Sequence, residues 1–144
     1  MKAKHFFTAY LIFINFGFVL AQNTKEQTKL MNNNIAIDKI LLKVFESGDV
    51  TPLDGIISPD FINHTAGGDD RIGIENLRTM VRGFHANFKP NKIEIVRQLV
   101  DNEYVADWVK FIGENPKMII EGIEMTRYKD EKAIEHWFFP YSQR

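Results

Sequence analysis

The 144-residue chain contains no cysteine. That excludes disulfides, thiol nucleophiles, thiolate metal sites and a lipid-modified cysteine anchor, so the fold must be held by its core alone. Nor is there an excess of one charge. Lys and Arg number 18 against 19 Asp and Glu, and the basic residues are dispersed. A nucleic-acid binder needs a basic patch or stripe, so that class is excluded. There is no phosphate-cradling glycine loop, no serine-nucleophile motif and no His-Glu-x-x-His. Past the N-terminal stretch the only histidines are His64, His85 and His136, and no two have ligand spacing, so no metal is expected. Gly67-Gly68-Asp69-Asp70 lacks the ordered spacing and distal glutamate of a calcium loop.

What is present begins with an address. Met1-Lys2-Ala3-Lys4-His5 is a basic start, and Phe6 to Leu20 is an apolar run shorter than the ~20 residues that span a bilayer. Val19-Leu20-Ala21 closes it with a small final residue. This is the pattern of a secretory signal cleaved between Ala21 and Gln22. The expected location is periplasmic or secreted, with no membrane attachment after cleavage. Without Lys2 and Lys4 the remainder carries 16 basic against 19 acidic residues, a mildly acidic balance. The expected organisation is a signal at 1–21, a polar lead-in at 22–34 and one domain at 35–144.

Within that domain, Asn32-Asn33-Asn34 offers N-cap side chains. Ile37, Ile40, Leu41, Val44 and Phe45 then share a helical face, with Gly48 as C-cap. Thr51-Pro52 opens a short helix through Ile57. Phe61 to His64 is extended, and Thr65 to Arg71 is a loop. A second long helix starts near Gly73, carries Ile74, Leu77, Met80, Val81, Phe84 and Phe88 at helical spacing, and stops at Pro90. Four strands follow: Ile93 to Val100, Tyr104 to Ile112, Lys117 to Lys129 with a bend at Gly122, and Ala133 to Phe139. Helices that precede an antiparallel meander define an α+β architecture, here a curved sheet wrapped over the helices around a conical cavity.

Several residues in this frame are candidates for chemistry. Asp107 shares a strand face with Val105, Val109 and Phe111. If that face is inward, burial raises its pKa toward that of a general base. The opposite face, with Tyr104, Ala106, Trp108 and Ile112, is at least as apolar and is the favoured inner one. A turn around Asp130-Glu131-Lys132 sets Glu135 close to opposite Arg127, an arrangement that also reads as a cross-strand ion pair. A one-residue change in that turn brings Ile134, His136 and Phe138 to the side of Arg127 instead. His64 ends the extended segment beside the glycine loop, where an imidazole can act as acid, base or ligand donor, or simply be buried and bonded to backbone at the helix–strand junction. His136 must face away from Trp137 and reads as a packing or interface residue. His85 follows the core stripe at a surface or edge position.

Four segments carry a resemblance. They are Phe45-Glu46-Ser47-Gly48-Asp49, Asp60-Phe61-Ile62-Asn63-His64, Gly73-Ile74-Glu75, and the hairpin of Gly122-Ile123-Glu124-Met125 and Arg127 with Ile134-Glu135-His136-Trp137. In this order, over roughly Ile35 to Tyr141, the chain resembles the SnoaL-like polyketide cyclases (ester cyclases) of the nuclear-transport-factor-2-like superfamily. The resemblance implies a cone-shaped α+β barrel with a deep pocket, homodimers paired through the sheet, and proton-transfer chemistry without metal or cofactor, in which a carboxylate makes an enolate that a nearby donor stabilises. It also implies an aspartate ~4 residues past the tryptophan, on the same side of the strand. At that place stands Tyr141, a poor base at neutral pH. The family's catalytic histidine falls at or near Arg127, and its pocket histidine at His64. The candidate catalytic set is therefore Asp107, Glu135, His64 and Arg127. Phe61, Trp108, Met125, Trp137 and Tyr141 form the candidate wall for a small hydrophobic molecule. The expected function is cyclase- or isomerase-like proton transfer on a carbonyl compound. The alternative is a non-catalytic ligand-binding or homodimeric interaction domain that has lost the aspartate.

Overall fold

The structure is a computed structural model that describes residues 5–65, 68–115 and 117–141, with side chains described from Thr24 onward. Gly67 of the glycine loop and the basic start Met1–Lys4 lie outside the described residues. The elements run α1 (His5–Ser47), α2 (Leu53–Ile56), β1 (Ile57–His64), β2 (Arg71–Ile72), α3 (Ile74–Phe88), β3 (Pro90–Val100), β4 (Tyr104–Gly113), β5 (Ile119–Lys129) and β6 (Lys132–Pro140). The six strands form one sheet in the order β2-β1-β6-β5-β4-β3, with β2 and β3 as its edges, so the barrel is open. All pairings are antiparallel except β1 with β6, which is parallel.

The helix expected to open at Asn32–Asn34 instead runs through them as part of α1. Their amides serve as tethers rather than caps. Asn33 donates to Glu131 in the β5–β6 turn at 3.1 Å, and buried Asn34 donates to the Asn102 carbonyl of the β3–β4 turn at 3.1 Å. The core face of α1 differs from expectation at one place: Leu42 is buried, whereas Ile40 is 40% exposed. Gly48 ends the helix as expected. It adopts φ +74°, and its N–H reaches the Val44 carbonyl at 2.9 Å. Gly73 opens α3 at φ +88°, with its N–H on the Phe61 carbonyl at 2.7 Å. α3 closes at Lys89, left-handed at φ 49°, and Pro90 begins β3 at its first position.

The core joins Leu41, Val44 and Phe45 of α1, Leu77, Val81 and Phe88 of α3, Ile57 and Phe61 of β1, and Val105, Val109 and Phe111 of β4. The face of β4 that looks inward is thus the Asp107 face, the reverse of the favoured expectation. Asp107 is 2% exposed, whereas Trp108 points away from the helices at 43%. Apolar content did not distinguish the two faces; what decides is which one the helices cover.

The β5–β6 hairpin turns through Asp130 and Glu131, both at positive φ (50° and 59°), a two-residue turn that matches strand twist. Lys129 then pairs with Lys132 and Tyr128 with Ala133, but Arg127 pairs with Glu135, so Ile134 is an extra residue in a bulge. One inserted residue flips every later side chain. Past Ile134, His136 and Phe138 face the helices, and Glu135, Trp137 and Phe139 face away.

Candidate functional site

Between α1, α3 and the concave face of the sheet lies a cavity of about 420 Å³, a size suited to one small molecule. Its walls are apolar, built from Phe45, Met80, Phe84, Phe111, Ile120 and Phe138. Its polar groups are Asn63, Glu124 and His136 on the sheet, with His64, Thr65 and Arg71 on the β1–β2 side. Glu124 on β5 and His136 on β6 are 3% and 6% exposed, and both owe their inward direction to the register just described.

His136 is held at one nitrogen and free at the other. Its Nδ1 lies 2.6 Å from Asn63 Oδ1. The Asn63 amide nitrogen donates to Met80 Sδ at 3.2 Å, which fixes Oδ1 as the atom that faces the ring and makes Nδ1–H the donor. Nε2 is then left 3.2 Å from Glu124 Oε1. That contact is out of line for a hydrogen bond, and neither His136 Nε2 nor either Glu124 oxygen has a hydrogen-bond partner. Buried polar atoms without partners are costly and uncommon.

Beneath this pair lies a second layer. Asp38 of α1 faces Asp107 of β4 at hydrogen-bonding range. Tyr128 donates its hydroxyl to Asp38 Oδ1 at 2.8 Å, and Gln98 donates to Asp107 Oδ2 at 3.2 Å. Burial above all, then the charges of Glu124 and Asp107, pushes the Asp38 pKa up to about 9, so the Asp38–Asp107 pair holds a proton. The remaining oxygen of Asp38 and that of Asp107 have no other partner, and one proton between them satisfies both. Burial likewise raises Asp107 and carries Tyr128 well above the ordinary phenol range. Among the described residues, no group of three or more His, Asp or Glu is arranged to hold a metal ion.

The structure separates the residues singled out from sequence. Asp107 is inside but below the cavity floor. Glu135 is on the outer face with Arg127 at 3.5 Å, and Arg127 also meets Glu103 at 3.1 Å and the Tyr104 ring at 5.8 Å. They are the cross-strand ion pair. His64 stacks on Trp137 (centroids 4.5 Å apart), and its Nδ1 lies 3.0 Å from Asp70 Oδ2 beside the cavity. The expected ligand wall is not in the cavity at all. Phe61 is a core residue at 0% exposure. Met125 and Trp137 line a groove on the outer face with Leu99 and Tyr104. Trp108 donates to Glu121 at 2.6 Å on that face, and Tyr141 is 67% exposed. Strand parity accounts for Trp108, Met125 and Trp137 alike.

Glu124, Asp38 and Asn63 were missed. A signal existed for the first two: Asp38 lies three and seven residues before Leu41 and Phe45 on the core face of α1, and Glu124 alternates with Gly122, Thr126 and Tyr128. His136 is corrected from a packing or interface residue to a wall residue of the cavity.

The SnoaL-like domain pattern matches residues 40–136, more than half the chain, and the chain belongs to this family. No curated protein matches it in sequence. Solved structures match in fold. A nuclear-transport-factor-2-like protein from Burkholderia xenovorans LB400 aligns at TM-score 0.65 with 13% identity over 78% of this chain and 86% of its own. A protein assigned as a SnoaL-like polyketide cyclase from Jannaschia sp. CCS1 aligns at TM-score 0.64 with 14% identity, over 77% of this chain and 87% of its own. A de novo designed protein with a curved β-sheet reaches TM-score 0.64 with 14% identity over 74% and 84%. That a designed protein scores alike shows that these likenesses speak for the fold alone.

Proposed function

We propose that this chain is an exported SnoaL-like enzyme that moves a proton on a small hydrophobic carbonyl compound without metal or cofactor. The observation that carries this reading is the buried Glu124–His136 pair, whose unpartnered atoms line an apolar cavity. Glu124 accepts a proton from the carbon next to the carbonyl, and the electron pair of that C–H bond moves onto the carbonyl oxygen. His136, oriented by Asn63, donates to that oxygen through Nε2 in its protonated form. Reprotonation at carbon, or attack of the enolate on a second carbonyl in the same molecule, completes an isomerisation or a cyclisation. The pair replaces the Tyr141 and Arg127 positions that the family resemblance pointed to, both of which lie outside the cavity.

The test needs no knowledge of the natural substrate. A panel of hydrophobic ketones and esters is incubated with the protein in D₂O and followed by proton NMR. Wild type is expected to wash out α-protons, and Glu124→Gln to slow this by about 100-fold or more. Ligand binding without exchange in any compound would overturn the catalytic reading in favour of a binding domain.

Export is proposed from the basic start and apolar run, and N-terminal sequencing of protein from the periplasm or medium should begin at Gln22. A homodimer through the sheet is proposed from the exposed Leu99, Trp108, Ile123 and Phe139 of the outer face. Light scattering of wild type should give twice the monomer mass, and Trp108→Glu should shift it toward monomer.

A further inference from the structure

The β1–β2 side of the cavity carries a cation that the mechanism does not use. Arg71 on β2 is the cross-strand partner of Asn63 on β1. Directly paired residues place their side chains on one face of a sheet. Asn63 faces the cavity and bonds His136 there, so Arg71 extends over the same cavity from an exposed position at its edge. Arg78 and Arg127 are each engaged by two carboxylates. The Arg71 guanidinium has no ion pair or hydrogen bond among the described residues. The nearby acids face other partners: Asp70 lies against His64, and Glu135 meets Arg127.

The opposite end has the opposite sign. Glu124 lines the interior, and the Asp38–Asp107 pair lies behind it. Between the two ends stand Phe45, Phe84, Phe111 and Phe138. Charges across so apolar a space are little screened. A negatively charged group is therefore favoured at the mouth, where Arg71 stands without a carboxylate partner, over the floor, where Glu124 and the Asp38–Asp107 pair outnumber His136.

We propose that the ligand is a hydrophobic carboxylic acid that leaves its carboxylate on Arg71 at the mouth and presents its uncharged, proton-bearing end to Glu124 and His136. A guanidinium fits a carboxylate through two parallel N–H bonds. A single guanidinium suits a monoanion better than a phosphate, whose further charge and oxygens call for more donors. This rests on the cavity being the ligand site, as the proposed function does, but not on proton transfer taking place there.

The experiment is calorimetric titration of the full chain with 4-oxo-4-phenylbutanoate, its primary amide and phenylpropyl phosphate. The acid is expected to bind at least about tenfold more tightly than the amide, and added salt to narrow that gap. Arg71→Gln should abolish the preference by weakening the acid alone, with unchanged Tm because Arg71 is exposed and unpaired. Equal affinities in wild type, a preference that survives Arg71→Gln, tighter binding of the phosphate, or no binding of any probe would each overturn the proposal. Glu124→Gln keeps this test separate from the catalytic one. It is expected to lose proton exchange and keep the acid preference; in wild type, acid preference without exchange fails the catalytic reading alone, and exchange without acid preference fails this proposal alone.

Discussion

On the concave side of β4, β5 and β6 stand Asp107, Glu124, Thr126 and His136, each no more than 6% exposed. On the convex side of the same strands stand Trp108, Ile123 and Phe139, each at least 42% exposed. The charges differ too. Convex Arg127 is met by Glu103 and Glu135, whereas concave Glu124 has neither oxygen bonded. A sheet selected only for stability would have the reverse distribution, because burying a carboxylate costs several kcal/mol unless it is paired. Each face therefore carries a cost that folding does not explain. The concave face makes sense if a ligand completes its hydrogen bonds, and the convex face if a second copy covers its apolar surface.

The sharpest way to break this comparison is to change one glutamate on each face. Glu124→Gln removes the base and the buried charge together. Proton exchange should fall about 100-fold or more, and Tm should stay within a few degrees, since the amide has the same shape and Glu124 has no hydrogen bond to lose. Glu135→Gln, on the convex face, should leave exchange within about twofold of wild type, as expected of an exposed pair. Equal losses from the two variants would show that facing the cavity is irrelevant to activity.

Backbone packing separates the faces next. Gly122 has β6 at close quarters. An added Cβ would lie 2.5 Å from the Phe139 carbonyl oxygen and 2.8 Å from the Phe138 ring. Gly122→Val should destabilise by about 2–3 kcal/mol in urea unfolding, and it pushes the Phe138 ring toward the cavity. Ile123→Thr, one residue away on the convex face, should cost far less in the monomer.

A smaller effect tests the layer beneath the cavity. The folded pKa of Asp38 is raised to about 9 from an ordinary 3.8, chiefly by burial, and burial also raises Asp107. A raised folded pKa means that the native state holds more protons than the unfolded one. The resulting stability is complete below the unfolded value and is lost as pH rises toward the folded one. Tm should therefore fall by several degrees between pH 5 and pH 8.5. Glu46 and Glu94, whose pKa values are lowered by hydrogen bonds from Lys43 and Lys92, act in the opposite sense but only in the acid range below that window. Asp38→Asn, which mimics the protonated acid, should flatten the slope. A wild-type slope of the opposite sign would place the proton elsewhere.

Why the fold was legible and the site less so comes down to the scale on which each is decided. The helix faces of Leu41, Val44 and Phe45 and of Leu77, Val81 and Phe88, the glycines at Gly48 and Gly73, and the meander of the last four strands follow from periodicity and backbone chemistry local to a few residues, whereas the parallel pairing of β1 with β6 does not. The site depends on parity. Alternation says that Glu135 and His136 face opposite ways, but only the bulge at Ile134 decides which of them meets the cavity. On β4, Val105, Val109 and Phe111 compete with Tyr104, Ala106 and Trp108 on equal apolar terms, and only α1 and α3 settle the matter. Asp38 escaped because an acid on an apolar helix face makes sense only once Tyr128 and Asp107 are known to stand opposite.

The smallest expected effect concerns the convex ion pairs. Arg127 lies 3.1 Å from Glu103, 3.5 Å from Glu135 and 5.8 Å from the Tyr104 ring. In an isolated chain Arg127 and Glu135 are half-buried and Glu103 is exposed, and pairs this open to water contribute little. Arg127→Ala should then move Tm by no more than about 1 °C in dilute protein, and by less still in high salt. The informative variable is concentration. If a second copy covers this face, the same pairs are desolvated in the dimer, and removing Arg127 leaves Glu103 and Glu135 without their cation. The Tm loss should then grow as protein concentration is raised, because folding and association are linked by mass action. A loss that is large and independent of concentration would mean that Arg127 holds the monomer together, and the contrast between a satisfied convex face and an unsatisfied concave one would be reduced to exposure alone.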